Sequence, residues 1–462
     1  MNNAGARLAL RTMSRRQMLR ATVAATGCTL VSAIGCGGGG SQHASSISAW
    51  PPALPVGIFA PSAADEAFLD ELEQQGCLYF WEQANPANGQ VLDHAGNNLG
   101  GALDTSTTQS SIAATGFGLG ALCIADQRGY LPHAQIVARV QTTLDFHLNS
   151  MPQENGFFYH FNDLNTGQPL TGSEVSSIDT SILMCGVLTA RAYFGDATIT
   201  SLATQLYERV NWPWMLNGGL TFAQAWYPTT GFSAARYDTY CELMMLYLLA
   251  IGSPTYPIAA SYWKNFGRPL LSYEGYTYIS SDSDPLFTHQ YSHAWFDFRN
   301  KADAYANYFN NSIAATQAHE TFCLGYPTPQ NPWYAEDYWG ITSSDYVQGY
   351  TAWGGPPAQG PIDGTVVPCA GAGSLVFLPN QCLAMLEALK ATWGAAGAWG
   401  RYGFADAFHP TANWYCPNVL GIDQGISVLM AENLRTGLVW TTFMNNPECE
   451  QAMQLAGFKA QG

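Results

Sequence analysis

The sequence predicts an all-α protein in which two concentric layers of helices form an α/α barrel. Segments of about ten to eighteen residues with apolar side chains at helical spacing recur along the chain, whereas strand signals are few and short. These segments alternate between apolar on every side and apolar on one side only. A helix of the first kind is normally buried, and one of the second kind lies at a surface. The alternation therefore predicts an inner ring of helices enclosed by an outer ring.

The predicted helices follow one another along the chain from Glu66 onward. The first, Glu66–Trp81, has acids in its early turns, as the helix dipole favours. The others are predicted at Ser111–Asp126, Pro132–Asn149, Ser176–Phe194, 197–210, 243–251, Ile258–Trp263, Asn307–Phe322, Asn380–Thr392 and Asp423–Thr436. Short hairpins are predicted at 156–170 and around Phe222–Trp226, and 331–368 is predicted to be a long irregular region of the kind that forms binding surfaces.

The N-terminus reads as an export signal over residues 1–35. Arg15 and Arg16 precede an apolar stretch of about fifteen residues, which suits a secretory leader and is too short to span a bilayer. The arginine pair fits a twin-arginine signal. The leader ends in AIGC, which makes Cys36 the candidate for lipidation, with Cys28 as a weaker competitor. We expect a protein exported by the twin-arginine route to the periplasm or cell envelope, with a lipid anchor at Cys36.

Residues 36–61 are rich in Gly, Ser and Pro and are predicted to be a flexible tether, followed by one barrel domain over 62–462. The net charge is −16, and the five leader arginines are the only charges in that segment, so its removal lowers the net charge to −21. Such acidity disfavours nucleic acid and anionic lipid as partners. We expect a monomer that contacts the membrane only through a lipid anchor.

Aromatic residues make up 13% of the chain and charged residues only 11%, a balance that suits sugar rings, whose C–H faces stack on aromatic faces. Motifs for other chemistries are missing from the sequence. The GFGLG at 116–120 lacks the preceding strand of a dinucleotide site, and there is no GxSxG elbow. We expect an oligo- or polysaccharide ligand and no cofactor.

Eleven cysteines are scattered through the chain without a CxxC pair, which argues against zinc and redox motifs. Several lie inside apolar helical segments, which favours buried free thiols. Export would also permit disulfides, such as Cys369 with Cys382 or Cys416 with Cys449.

Glu242 stands at the head of the apolar run Leu243–Ile251 and is the only charged residue between Thr239 and Trp263. A buried acid must be paired, hydrogen-bonded or protonated, and such acids cluster at functional sites. The alternative is that Arg236 or the amides of the helix start satisfy it. Glu242 is therefore a candidate for catalysis.

The blocks YFWEQANPANG, SEVSSIDTSIL, YCELMMLYLLAIGSP, DPLFTHQYSHAWFDFR and GIDQGISVLM spread over residues 62–446. With them the chain resembles the bacterial glucoamylase-like proteins that include the endo-β-1,2-glucanases. The resemblance implies an (α/α)6 barrel with short β-hairpins and long loops around the cleft. It also implies an inverting hydrolase acting on glucan, with β-1,2-linked glucan as the leading substrate.

Inverting hydrolysis needs a protonated acid and a carboxylate base on opposite faces of the sugar. The resemblance implies an acid in the block of Glu242, which is our predicted acid. Asp423, at a predicted N-cap facing the barrel mouth, is the leading candidate for the base, and its alternative role is the cap alone. Glu174 and Asp179 are the other candidates for the base. They could also form a proton relay or hydrogen-bond to sugar hydroxyls, and their structural alternative is capping of the helix Ser176–Phe194.

Other residues are predicted to contact the sugar. Arg236 and Asp238 share the block of Glu242. In the segment 284–299, His289, His293 and Asp297 have a spacing that could form a metal-binding face. The surrounding loop makes two other roles better predictions than a metal site. One is hydrogen bonding of sugar by the two histidines and Arg299, and the other is pairing of Asp297 with Arg299. The candidate stacking platforms are Trp226, Tyr291, Trp295, Trp339, Trp353 and Trp414, each with a core position as the alternative.

The leading function is thus endo-hydrolysis of β-1,2-glucan. Two alternatives stay open from the sequence. One is an exo-acting glucosidase on another β- or α-glucan that uses the same acids in a closed pocket. The other is a non-catalytic glycan-binding lipoprotein with the same fold.

Overall fold

The structure is a computed structural model that describes residues 59–281, 285–326 and 334–461. Over these ranges the chain folds as the predicted (α/α)6 barrel. The predicted export signal, Cys36 and the tether as far as residue 58 lie outside the described residues. In the part of the chain that is described, no helix is both long enough and apolar enough to cross a bilayer.

The helices alternate between an outer and an inner layer. In chain order they are α1 (Ala63–Glu82), α2 (Ile112–Arg128), α3 (His133–Asn149), α4 (Ser177–Phe194), α5 (Ala197–Glu208), α6 (Trp212–Leu216), α7 (Met244–Gly252), α8 (Tyr291–Trp295), α9 (Tyr308–Gly325), α10 (Pro368–Ala372), α11 (Pro379–Trp393), α12 (Gly421–Arg435), α13 (Leu438–Met444) and α14 (Pro447–Leu455). The inner ring consists of α2, α4, α7, α8, α10 and α12. Because each outer helix runs antiparallel to the inner helix after it, the N-termini of the inner helices meet at one end, which we call the barrel mouth.

Side-chain bonds and packing close the inner ring in chain order. Helix α2 packs on both α4 and α12, and α4 packs on α7. The hydroxyl of Ser292 on α8 accepts a hydrogen bond from the backbone N–H of Met245 on α7 at 3.0 Å. The Nε2 of Gln290, just before α8, donates to the carbonyl oxygen of Ala370 on α10 at 2.8 Å, and α10 packs on α12. In this ring α7 is third and α12 is sixth, so the two helices stand on opposite sides of the mouth.

The fourth outer position is the irregular one. The helix predicted at Ile258–Trp263 is only a 3-10 turn, Ala260–Lys264, followed by the hairpin of Leu270–Tyr273 and Tyr276–Ile279. Helices α13 and α14 pack against α4 and α7 respectively. Helix α14 therefore covers a part of the inner ring that the short turn leaves uncovered.

The strands are short, antiparallel and concentrated in the connecting loops. They are β1 (His94–Gly96), β2 (Gln109–Ser111), β3 (Gln153–Glu154), β4 (Phe157–Phe158), β5 (Phe161–Asp163), β6 (Val175–Ser176), β7 (Phe222–Ala223), β8 (Ala225–Tyr227), β9 (Gly231–Phe232), β10 (Arg236–Tyr237), β11 (Leu270–Tyr273), β12 (Tyr276–Ile279), β13 (Lys301–Ala302), β14 (Ser344–Tyr346), β15 (Gly349–Thr351), β16 (Trp399–Gly400), β17 (Gly403–Phe404), β18 (Phe408–His409), β19 (Trp414–Tyr415), β20 (Asn418–Leu420) and β21 (Lys459–Ala460). Within the stretch 156–170, β5 pairs across a turn with 168–170, as the predicted hairpin requires, and Asn162 bridges Pro169. The same strand β5 also pairs with β2, and β3 pairs with β4. Strand β1 pairs with β20 and so joins the first and last inner connections at the mouth.

Hydroxyl caps explain where two inner helices begin. Ser111 Oγ accepts from the N–H of Ala114 at the start of α2, and Ser176 Oγ accepts from the N–H of Asp179 at the start of α4. The two helices then approach backbone to backbone, since a Cβ on Gly186 would lie 2.0 Å from the carbonyl oxygen of Gly116. The absence of side chains at this crossing is what lets the ring close tightly.

Two predicted helix starts are wrong. Helix α7 begins at Met244, with Leu243 as its N-cap, so it starts one residue later than predicted and Glu242 lies just before it. Helix α12 begins at Gly421 after the N-cap Leu420, so Asp423 is not a cap and lies inside the first turn. In both cases a β-strand or turn before the helix, not a polar side chain, sets the start.

All nine cysteines within the described residues are free and buried. The disulfides considered from the sequence, Cys369 with Cys382 and Cys416 with Cys449, are not formed. The alternative prediction of buried free thiols is confirmed, because these side chains fill apolar positions of the helical layers.

A buried ion network joins α1, α2 and α12. Glu73 and Glu432 are fully buried, and Arg128 Nη2 lies 2.8 Å from Glu432 Oε2. Arg435 bonds Glu73 and lies 3.3 Å from Asp70 Oδ1. Burial raises the pKa of Glu73 well above its ordinary value, the Glu432 charge adds to this, and the two arginines oppose it. The two arginines therefore offset part of the cost of burying these two acids.

Candidate functional site

Glu242 lies at the barrel mouth with its carboxyl group almost out of contact with solvent. The residue is 4% exposed, and among the described residues no donor reaches its Oε2. Its backbone carbonyl accepts from Ser292 Oγ at 2.7 Å. Arg236 Nη2 donates to the carbonyl oxygens of Leu216 and Thr221. A buried carboxyl oxygen that no protein donor satisfies is one to which a ligand can hydrogen-bond.

Glu174 and Asp179 come together around a histidine that the sequence reasoning missed. His160 Nδ1 lies 3.1 Å from Glu174 Oε1, and His160 Nε2 lies 3.7 Å from Asp179 Oδ1. Burial by itself lowers the pKa of His160, but the two carboxylates outweigh it and raise this pKa to about 9. Ser176 Oγ donates to Asp179 Oδ2 at 2.5 Å and accepts from the Asp179 N–H, so Ser176 is the cap of α4 and the alternative that these two acids cap the helix is wrong. The imidazolium thus lies between the two acids.

Burial raises the pKa of Asp179, and the negative charges of Glu174 and Asp93 raise it further. The positive charge of His160 and the hydrogen bond from Ser176 act in the opposite direction. Asp93, on the loop before β1, accepts a hydrogen bond at its carbonyl oxygen from Gly421 N at 2.8 Å. Through that bond the start of α12 is tied to the acid cluster at α4. This part of the mouth is therefore an acidic rim that encloses the imidazolium of His160.

We predict that the unfolding free energy falls as pH rises from 6.5 to about 9 because His160 loses its proton. The folded-state pKa of His160, about 9, is above its ordinary value of 6.5, so the charged form favours the folded state. This contribution is complete below pH 6.5 and is lost as pH rises through about 9, with an upper limit of about 3 kcal/mol. Urea unfolding across this range should show the slope in the native protein and not in His160→Gln.

The matched control for that experiment is His133→Gln, since the His133 side chain is 70% exposed on the outer layer. This variant should keep the slope of the native protein. A slope that persists in His160→Gln would show that another group carries it.

Asp423 has a second carboxyl group beside it, that of Asp406. Both residues are 3% exposed, and their carboxyl groups are hydrogen-bonded to each other. Burial raises the pKa of Asp406 well above its ordinary range, and the charge of Asp423 and the bond to it raise it further. The backbone N–H of Asp345 donates to Asp406 Oδ2 at 2.6 Å. The pair borders a small pocket lined by Leu72, Pro368, Cys369, Phe404, Ala405, Asp406, Asp423, Gln424 and Ser427.

The ring order decides how these acids face one another. Glu242 precedes α7 and Asp423 lies in α12, on opposite sides of the mouth, whereas Asp179 lies in α4, next to α7. Two acids that act on opposite faces of one sugar must approach it from different directions, which the positions of Glu242 and Asp423 across the mouth allow. Of the three candidates for the base, Asp423 therefore fits best.

Several predicted platforms are core residues. Trp295, Trp339 and Trp353 are fully buried, and Tyr291 is 3% exposed with its ring against Phe117 at 5.3 Å. A ring without an exposed face cannot stack on a sugar, so the prediction is wrong for these four. Trp226 and Trp414 keep partly exposed rings and remain candidates.

The histidines of 284–299 are also buried. His293 packs among aromatic rings and its Nε2 lies 3.1 Å from Ser312 Oγ, and burial lowers its pKa to about 3. It is a neutral core histidine, and its predicted sugar contact is wrong. His289, 1% exposed, meets the hydroxyl of Tyr240 at 3.3 Å and is likewise enclosed.

Two acids that were predicted near the sugar, Asp297 and Asp238, lie nearer the surface than these histidines. Asp297 pairs with Arg299 at 2.9 Å, one of the two alternatives for these residues, whereas Asp238 is exposed beside β10. Asp238 therefore remains accessible to a ligand.

Two groups bring ligand-type atoms within 4.8 Å of one another: His160 with Glu174 and Asp179, and Asp345 with Asp406 and Cys416. In both, the side chains already hydrogen-bond within the group or to its neighbours. The geometry is that of shared protons and ion pairs and assigns no metal.

Comparison with known proteins places the chain among carbohydrate-active relatives. The family model "Glycoamylase: Putative glucoamylase" matches residues 234–447. An exo β-1,2-glucooligosaccharide sophorohydrolase (non-reducing end) of Parabacteroides distasonis is 29% identical over 436 residues, which are 84% of this chain and 58% of that protein. The chain thus spans 58% of the length of that curated relative.

Solved structures match the barrel closely. The endo-β-1,2-glucanase of Chitinophaga pinensis, in complex with sophorotriose and glucose, is 27% identical with a TM-score of 0.78, covering 87% of this chain and 99% of that one. The β-1,2-glucanase of Parabacteroides distasonis is 26% identical with a TM-score of 0.77, covering 86% of this chain and 60% of that one. These matches confirm the resemblance to the glucoamylase-like family and the (α/α)6 barrel that the sequence predicts.

Proposed function

We propose that this protein is a glycoside hydrolase that cleaves β-1,2-glucan with inversion of the anomeric carbon. The observation that carries the proposal is the pair of buried acids, Glu242 and Asp423, on opposite sides of the barrel mouth. The similarity to β-1,2-glucan-active relatives supports the substrate class.

In the proposed reaction Glu242 gives its proton to the oxygen that leaves C1, which in a β-1,2 linkage is O2 of the next glucose. Asp423 accepts a proton from the water that attacks C1 from the other face. The C1–O2 bond breaks as the water oxygen bonds to C1, and the product has the α configuration. Glu174 and Asp179, held by His160, are left to bind sugar hydroxyls.

We propose endo action, since the chain covers nearly the whole of an endo-acting relative. The exo-acting relative is the specific support for the second candidate, and it is much longer than this chain. Export by the twin-arginine route and lipidation at Cys36 remain proposals from the leader sequence.

Linear glucans of defined linkage should distinguish the candidates. We expect cleavage of β-1,2-glucan, a mixture of oligosaccharide lengths at early times, and the α anomer as the first product by NMR. Disaccharide alone from the start would indicate exo action, and a β anomer would contradict the inverting mechanism.

The variant Glu242→Gln distinguishes a hydrolase from a non-catalytic glycan-binding protein. A hydrolase should lose turnover and keep glucan affinity in this variant. A binding protein would keep its affinity and show no turnover in either form, an outcome that would refute the proposed activity.

A further inference from the structure

We propose that Asp406 is a positioning residue that holds a proton and donates it as a hydrogen bond to Asp423, and so orients the carboxylate of the proposed base. This inference rests on the proposed function and adds to it a residue that the sequence analysis did not select. Asp406 lies 17 positions before Asp423, in the segment between β17 and β18.

The geometry leaves each oxygen of Asp406 one role. Oδ2 accepts the 2.6 Å hydrogen bond from the backbone N–H of Asp345. Oδ1 is buried, and no N–H or protein hydroxyl reaches it within the described residues, yet the Asp406 carboxyl is bonded to that of Asp423. Two carboxylates have only acceptor atoms, so a bond between them requires one proton. Since Oδ2 already accepts from Asp345 and Oδ1 has no protein donor, Oδ1 is the oxygen of Asp406 left to carry the proton.

The surroundings place that proton on Asp406 in preference to Asp423. Asp406 faces the carboxyl of Asp345 as well as that of Asp423, and Cys416 Sγ lies 3.5 Å from Asp345 Oδ2. Burial also raises the pKa of the Cys416 thiol well above its ordinary value, so it brings no further negative charge. Asp406 is thus surrounded by acids without a cation among its described contacts, and the neutral form removes the repulsion. One negative charge then remains for the base.

The donated bond gives Asp406 a mechanical and an electrostatic role. It fixes the rotamer of Asp423 at the pocket, as a positioned base requires. It also gives the Asp423 carboxylate a hydrogen-bond donor inside a buried site, where such a bond is strong. The bond from Asp345, on β14, in turn fixes Asp406.

Asparagine at 406 is the decisive replacement because it can reproduce both hydrogen bonds. Its Oδ1 can accept from Asp345 N and its Nδ2 can donate to Asp423. Asp406→Asn should therefore keep glucan hydrolysis within about tenfold of the native rate, whereas Asp423→Asn should lose roughly 10²–10⁴-fold. Asp406→Leu, which lacks both bonds, should lose roughly 10–100-fold in kcat, the rate equivalent of one hydrogen bond to a charged group. Its acidic pH limb should move to higher pH, since Asp423 loses the donor that favours its ionised form.

A second measurement does not depend on activity. Infrared difference spectra at neutral pH should show that Asp406→Asn loses one protonated carboxyl C=O band present in the native protein, and that the exposed Asp337→Asn loses none. If the native protein cleaves no glucan, the proposed function fails. The infrared band then still shows whether Asp406 carries the proton of the Asp406–Asp423 hydrogen bond.

Three results would overturn the inference. One is activity of Asp406→Asn as low as that of Asp423→Asn, which would make Asp406 a proton acceptor itself. Another is an unchanged carboxyl band in Asp406→Asn. The third is a native pH profile in Asp406→Leu, and if Asp406→Leu does not fold, the asparagine variant and the infrared band decide the question.

Discussion

Glu242→Gln is expected to reduce β-1,2-glucan hydrolysis by roughly 10²–10⁴-fold, the usual contribution of a positioned general acid. Glutamine keeps the shape of the side chain and cannot release a proton to the leaving oxygen. The Glu242 backbone contact with Ser292 is unaffected by the change, so the start of α7 should stay in place. Initial rates, thermal unfolding and glucan affinity should be measured on the same preparations.

Glu450→Gln provides the matched control, because Glu450 is an exposed glutamate on α14. Its hydrolysis rate should equal that of the native protein. A Glu242→Gln enzyme with a near-native rate and unchanged folding would remove Glu242 from the role of acid.

Arg435→Met is expected to lower the free energy of unfolding by about 3–5 kcal/mol, as removal of one partner from a buried ion pair does. Arg435 contacts Glu66, Asp70 and Glu73 together, and its side chain is 7% exposed. Without it, fully buried Glu73 keeps Arg128 at 3.7 Å but faces Glu432. Urea unfolding at neutral pH measures the loss.

Two comparisons separate the buried charge from lost packing. The double variant Arg435→Met with Glu73→Leu should regain part of the stability, because no carboxylate is then left without its partner. Arg299→Met breaks a pair whose arginine is 43% exposed and should cost under about 1 kcal/mol. Equal losses from Arg435→Met and Arg299→Met would contradict the assigned role of the network.

The layered fold could be predicted because buried helix faces require apolar residues at helical spacing, and this spacing is visible in the sequence. Helix α2 shows this well, since fourteen of its side chains or glycines are buried and the sequence there is correspondingly apolar throughout. Amphipathic α5 buries only one face and reads so in the sequence. The helix starts at Met244 and Gly421 were predicted less well, because no polar cap marks them.

Only some residues of the candidate site could be predicted from the sequence. Glu242 and Asp423 stand out because each interrupts an apolar segment. His160 and Asp406 gain their meaning from partners that loops bring to them, 14 and 17 positions away, and no spacing rule links such residues. Their one sequence signal is a titratable group inside an aromatic stretch, YHF and ADAF, where a charge is costly without a partner.

The aromatic platforms show a different limit. Trp295 and Trp414 are alike in the sequence, yet the first is enclosed in the inner ring and the second stays partly exposed on β19. Whether a tryptophan meets core or solvent depends on which helix or loop covers it. That covering is a property of tertiary packing and not of the local sequence.

The nine buried free thiols set an order of events for the chain. Once the barrel has closed, the nine sulfurs are buried and unpaired, and eight of them lie outside the pocket beside Asp423, which only Cys369 lines among the described cysteines. Before closure the same nine side chains could pair in many wrong combinations, and none of those disulfides occurs in the native fold. A chain that completes its folding before it meets an oxidant therefore avoids a kinetic trap that a chain folding afterwards must escape.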